Sequence, residues 1–262
     1  MPIRKSFVSG VFYPDACEEV LHYIRYFNTN LPKELPSNAP YALIVPHAGY
    51  IYSGHTANIA YALASKRKNI NRVIVIGPSH KVPLKGASIA LFEAYQTPCA
   101  NLAIDLELST ALEQKYSFIT FTPAAHEEHS TEVQMPFVQY YLPEVKVVEI
   151  VYGDIDASIL SSLIDELLID PDNLVVISSD LSHFHSLEEA RRLDDCCIQA
   201  IKKMVPLGFN ECEACGLIGI KALIHSAQKR ALRAHFLDYR TSFERTKDAT
   251  RVVGYSSFIF SE

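Results

Sequence analysis

The chain has 262 residues, 48% of them hydrophobic, and a formal net charge of −6. That size and apolar content suit one large core and exclude a disordered segment. The acidic balance without a long basic run argues against a nucleic-acid surface, and no apolar run reaches the roughly 20 residues needed to span a bilayer.

Read in chain order, Met1-Pro-Ile-Arg-Lys-Ser6 has no apolar stretch behind its basic residues, so no signal peptide is expected. The six cysteines are then expected to be reduced thiols in a cytoplasm. Asp15 is placed to cap a first helix whose apolar face carries Val20, Ile24 and Phe27. Pro32, Pro36 and Pro40 mark a loop leading to a buried strand over 41–45. A glycine-punctuated turn, His47 to Gly54, precedes a helix from about Thr56 to Lys66, and a second buried strand ends at Gly77-Pro78. These make a βαβ unit. Residues 87–91 are expected to pair at a sheet edge and 105–115 to be helical. The polar run His126 to Glu132 leads into a helix with Pro136 in its first turn. Residues 145–151 read as a strand, Asp156 caps a helix through Leu168, and 174–178 is a third buried strand. Helices over about 187–204 and 211–229 are followed by strands near 234–241 and 252–260, joined by a charged loop. The pattern predicts one α/β domain over 1–262, with a mostly parallel or mixed sheet and helices on both faces.

Three of the buried strands launch a histidine from their carboxyl ends: His47, His80 and His183. Ligands of open α/β sheets bind in the crevice outside those ends, so the three are expected to converge. Neutral imidazole is the commonest protein metal ligand, and two imidazoles with a carboxylate leave open positions on iron(II). One of the three could instead serve as an acid–base group beside a metal held by the others. Asp180, three residues before His183, either caps the turn or fixes an imidazole tautomer. His126-Glu-Glu-His129 lacks the spacing of the zinc-protease helix, yet it places His129 and Glu132 among the candidates. Tyr50 and Tyr52 could stack on a planar ligand or pack an interface. Cys212-Glu-Ala-Cys215 and Cys196-Cys197 read as packing thiols inside helices. No dinucleotide fingerprint, phosphate-binding loop or nucleophile elbow occurs.

The blocks Gly10-Val-Phe-Tyr-Pro14, Pro46-His-Ala-Gly-Tyr50 with Ser53-Gly54, Gly77-Pro-Ser-His80, Glu128-His-Ser-x-Glu132, Ser178-Ser-Asp-x-Ser-His183 and Val253-Gly-Tyr255 resemble the Memo family. This family is also described as protein B of the AmmeMemoRadiSam system. The resemblance runs over nearly the whole chain and implies a domain like that of the class III extradiol dioxygenases. It implies His47 and His80 as metal ligands and His183 as the acid–base or substrate-contacting histidine. His129 and Asp180 complete the candidate catalytic set, and Tyr50, Tyr52, Ser79 and Glu132 are the candidate substrate contacts. The third ligand is expected in the loop Thr241 to Asp248, where Glu244 is the candidate. Fe(II) is the implied cofactor, with copper or zinc as alternative divalent metals. The implied function is iron-dependent redox or dioxygenase-like chemistry on an unidentified substrate. The alternative is a non-enzymatic module binding a peptide or small anionic ligand; metal-dependent hydrolysis ranks below both. The resemblance also implies a functional link to a radical SAM protein. Edge strands and tyrosines are compatible with a homodimer, and no nucleic-acid or membrane partner is expected.

Overall fold

A computed structural model describes residues 2–262, apart from the side chains at 206 and 207. Helix α1 (Cys17–Thr29) leads to β1 (Ala42–Val45), and a one-turn π-helix over Tyr50–Gly54 runs directly into α2 (His55–Ala64). Strand β2 (Arg72–Pro78) is followed by three short strands, β3 (Ala87–Ile89), β4 (Ala94–Gln96) and β5 (Asn101–Ala103). Next come α3 (Leu106–Lys115), β6 (Ile119–Thr120), α4 (His129–Glu132) and α5 (Met135–Tyr141). The chain continues through β7 (Lys146–Tyr152), α6 (Ala157–Leu167), β8 (Asn173–Ser178), β9 (His183–His185), α7 (Leu187–Lys203) and α8 (Leu217–Lys229). It closes with β10 (Arg233–Thr241), α9 (Phe243–Thr246) and β11 (Val252–Ser261).

The main sheet has the order β10-β11-β1-β8-β2-β7-β3-β6, with β9 attached to β11. Its centre, β1-β8-β2-β7, is parallel, while β11 and β3 join it antiparallel on either side. The sheet is therefore mixed, with a parallel heart. These central strands carry continuous rather than alternating apolar runs, so both faces must be covered. Ile44, Ile74, Ile76 and Ile177 pack toward Leu160 and Leu163 of α6 and Leu223 of α8. Leu43, Val73, Val75 and Val176 pack toward Ile24 and Phe27 of α1, Tyr61 of α2 and Phe137 of α5. Helices lie on both faces, as the hydrophobic pattern requires. Among the described residues, no helix is long and apolar enough to cross a membrane.

Several local expectations are corrected. Asp15 does not cap α1; Ala16 holds the N-cap position with no side-chain bond. Asp105 and Asp156 do cap their helices, accepting from the N–H groups of Leu108 and Ser158. The expected βαβ unit of β1, α2 and β2 is present as a parallel crossover that leaves room for β8 between its strands. Strand β3 is not the outermost, since β6 pairs beyond it. Two residues are too few to show a period, so β6 leaves no signal. The helix expected from 211 begins only at Leu217, which leaves Cys212 and Cys215 in the preceding turn. Nor are all six cysteines thiols: Cys17 pairs with Cys99 and Cys197 with Cys212, leaving Cys196 and Cys215 free. Partners 82 and 15 residues apart meet only through tertiary structure.

Because β1, β8 and β2 run parallel and side by side, their carboxyl ends open on one edge. His47 follows the end of β1, His80 follows β2, and the 179–183 segment follows β8.

Candidate metal centre

His47, His80 and His129 bring one ring nitrogen each to within 4.8 Å of one another. The ring centroids lie 5.4 Å apart for His47 and His80, 5.2 Å for His47 and His129, and 4.5 Å for His80 and His129. His47 is buried at 1% exposure, whereas the side chains of His80 and His129 keep 32% and 19%. The cluster is therefore closed behind β1 and open on the side of β2 and α4.

Each ring is held through its Nδ1 atom. His47 Nδ1 meets Ser178 Oγ at 2.9 Å. His80 Nδ1 and His129 Nδ1 both meet Glu128 Oε1, at 3.1 and 2.8 Å. With Nδ1 engaged on all three rings, Nε2 is the nitrogen available to an ion; fixing the tautomer in this way is how outer groups orient metal-ligating histidines. Burial, reinforced by the neighbouring rings of His129 and His80, holds His47 well below the usual histidine range. It is neutral at pH 7, the form that coordinates. Glu128 is buried and ionised: burial works to raise its pKa, but bonds from the His129 and His80 rings and the His80 N–H hold it well below the usual carboxylate range. Three imidazoles with Nδ1 held by fixed partners, and a buried carboxylate behind two of them, fit a divalent transition-metal ion.

The turns around the cluster are locked by other groups. Asp180 Oδ1 accepts the backbone N–H of His47 at 2.7 Å and of Ala48 at 3.3 Å. It thus fixes the backbone of His47 and Ala48 rather than an imidazole ring. Burial pushes the Asp180 carboxyl up, against those hydrogen bonds. His183 is half-buried and close enough to His47 to disfavour its protonation. Its N–H donates to Glu213 Oε1 at 3.2 Å. The preceding residues are strapped to β11, with Leu181 N donating to Gly254 O at 2.8 Å and Gly254 N to Ser182 O at 3.0 Å. Gly254 is required there, since an added Cβ would lie 1.9 Å from Asp194 Oδ2.

One close neighbour was read from the sequence only as a packing thiol. Cys215 Sγ lies 3.3 Å from His47 Nε2, and the Asp180 N–H donates to the same sulfur at 3.2 Å. Burial, with the nearby Asp180 carboxylate, pushes this thiol up to about 12. A bound cation would reverse that preference, because coordination deprotonates a thiol.

The segment carrying His129 is anchored from behind. Arg4 is 2% exposed; its guanidinium pairs with Glu132 and donates to the carbonyl of His126. Glu132, fully buried, also accepts from the N–H groups of Phe7 and Val8 and from the Tyr13 hydroxyl. Glu149 of β7 receives His126 Nδ1 at 3.0 Å and the Thr131 hydroxyl at 2.5 Å.

The remaining candidates lie as follows. Glu244 is not in the histidine group; its Oε2 accepts from both the N–H and the hydroxyl of Thr241 at 2.7 Å. A carboxylate on the four-residue α9 is held by its own turn. Tyr50 is buried, stacked on Phe137 and bonded to the Val133 carbonyl. Tyr52 lines a neighbouring cavity, and the Ser79 hydroxyl donates to Val82 O at 2.6 Å.

A family model described as "Memo-like protein" matches residues 4–259. The chain is 36% identical over 273 residues to a MEMO1 family protein of Aquifex aeolicus, across 99% of this chain and 100% of the relative. It is 31% identical over 281 residues to a MEMO1 family protein of Desulfurococcus amylolyticus, across 99% of each. Among solved structures, an uncharacterised protein from Escherichia coli K12 is similar at a TM-score of 0.52 and 14% identity, over 83% of this chain and 98% of that one. At that identity the likeness speaks for the fold alone.

Proposed function

The chain belongs to the Memo family, and from that premise we propose that it holds a divalent transition-metal ion on His47, His80 and His129 for redox chemistry on a small ligand. One observation carries this reading: all three rings spend Nδ1 on fixed partners, two of them on the single carboxylate of Glu128, and keep Nε2 for an ion. When bound, a redox-active ion such as iron(II) or copper would supply electron exchange with a ligand at its open positions. The chain's own residues do the rest. Glu128 and Ser178 orient the rings, Asp180 fixes the His47 backbone, and Cys215 stands beside His47 as a further donor. His183, half-buried on a strapped turn, is the group we assign to hold or move a proton of the ligand.

Elemental analysis of anaerobically purified protein tests the reading. Near-unit metal that is lost in His129→Ala and kept in Glu244→Ala is the expected result. No metal in the wild type, even after anaerobic loading with Fe(II), Cu(II) and Zn(II), refutes it. The second reading, a pocket that binds without turnover, is favoured by the position of Glu244 outside the histidine group. Ligand binding that survives metal removal, with no O₂ consumed by the loaded protein, would select it.

A further inference from the structure

We propose that the cavity beside the Tyr50–Gly54 turn is a second ligand site, separate from the three imidazoles, and that it takes an aromatic carboxylate. The cavity has a volume of about 760 Å³, and none of His47, His80 and His129 lines it. Its walls come from α1, the π-helical turn, and the β10–α9 corner.

Three observations define the ligand. First, Tyr23, Phe27, Tyr50 and Tyr52 line the cavity, and the first three form one aromatic cluster, with Tyr50 and Phe27 centroids 6.4 Å apart. Phe27 and Tyr50 are buried and back the wall, while the half-buried Tyr23 and Tyr52 offer the ring surface that favours a planar ligand over an aliphatic chain. Second, His55 lines the same cavity at 8% exposure, yet no described residue hydrogen-bonds its ring nitrogens. Its contact is the edge of Phe27, at 6.0 Å. Neither ring nitrogen is sealed off, so an imidazole N–H can donate to a ligand oxygen in the cavity. Third, two guanidinium groups lie in the wall. Arg240 uses its Nε on Asp238 at 3.0 Å, and Arg245 enters no ion pair among the described residues. Guanidinium forks match a carboxylate in two parallel bonds.

Among the described residues the one carboxylate in the lining belongs to Glu244, and its Oε2 is already bonded twice by Thr241. Its remaining negative charge favours a singly charged ligand over a doubly charged one. This assigns a place to Glu244 that the metal group does not provide.

The test uses isothermal titration of the full chain, metal-loaded and chelator-stripped, with 4-hydroxybenzoate as probe. The neutral analogue 4-hydroxybenzamide and the non-aromatic cyclohexanecarboxylate are run beside it. Saturable one-to-one binding of the benzoate is expected in both metal states, with each analogue weaker by about tenfold or more. Arg245→Gln and His55→Phe should each weaken the benzoate by about tenfold while thermal unfolding stays unchanged for the exposed Arg245. Binding that vanishes on metal removal would place the probe at the imidazoles and overturn the proposal. So would equal binding of the three probes, no saturable binding at millimolar concentration, or a dimer in sedimentation that Arg245→Gln converts to monomer without altering probe affinity. Because the stripped protein is tested too, failure of the metal reading and failure of this one are read separately.

Discussion

Glu128→Gln removes a charge and one acceptor oxygen from behind two of the three imidazoles. In the wild type, Oε1 accepts from His80 Nδ1, His129 Nδ1 and the His129 N–H, while Oε2 accepts from the His80 N–H at 2.6 Å. A glutamine keeps one acceptor and gains a donor. If its oxygen replaces Oε1, the His80 N–H faces an NH₂ group; if it replaces Oε2, both rings lose their anchor. Each buried donor stripped of its acceptor costs about 1–3 kcal/mol. Loss of a group that orients metal-ligating rings typically costs about 10–100-fold in metal affinity, or about 1.4–2.7 kcal/mol. Competition between the protein and a chromophoric chelator for Co(II) or Zn(II) measures that loss, with unfolding of the metal-free protein recorded separately to isolate the structural part. An affinity within about twofold of wild type would show that the rings are held by packing, and the argument from Glu128 would fail.

Arg4→Met leaves the buried Glu132 without its ionic partner, although three other donors remain. Breaking such a pair costs about 3–5 kcal/mol, and in a chain of 262 residues that lowers the melting temperature by about 5–9 °C; a fall of under about 2 °C would contradict it. Removing the Cys17–Cys99 disulfide by a double Ser substitution opens a loop of 82 residues and should cost up to about 4.5 kcal/mol in urea unfolding, with no change if reductant is then added. Asp105 is pushed up by burial, but bonds from Arg72 and the Leu108 N–H outweigh this and set it below its ordinary 3.8. Its contribution is complete above that value and lost as pH falls through the lower folded one, so the stability gap between wild type and Asp105→Asn should close only below about pH 3.8. A gap independent of pH, read from urea midpoints, would mean the charge contributes nothing.

The parts of the site readable from sequence are those delivered by regular structure. An apolar run ending in Pro46-His47 or Ser79-His80 announces both the strand and the residue it launches. His129 was a candidate, but its place beside His47 and His80 was hidden. It rides on the four-residue α4, which has no period, and its segment is positioned by Arg4, 128 residues from Glu132. Cys215 was hidden for a related reason: its Cys212-x-x-Cys215 spacing looked like the opening of a helix, whereas the turn before α8 brings it to His47, 168 residues away. Glu244 illustrates the converse, since a carboxylate at a plausible chain position is satisfied within its own turn.

The place of β1 in the sheet has a consequence for synthesis. This strand is flanked by β8 and β11, so its partners are made about 130 and 210 residues after it. A nascent chain that has already exposed His47, His80 and His129 still lacks the strand that closes over β1 and straps the 180–183 turn. The imidazoles cannot be assembled stepwise as they leave the ribosome. Metal capture therefore belongs to the finished polypeptide, and any loss of the final ten residues removes it together with the fold.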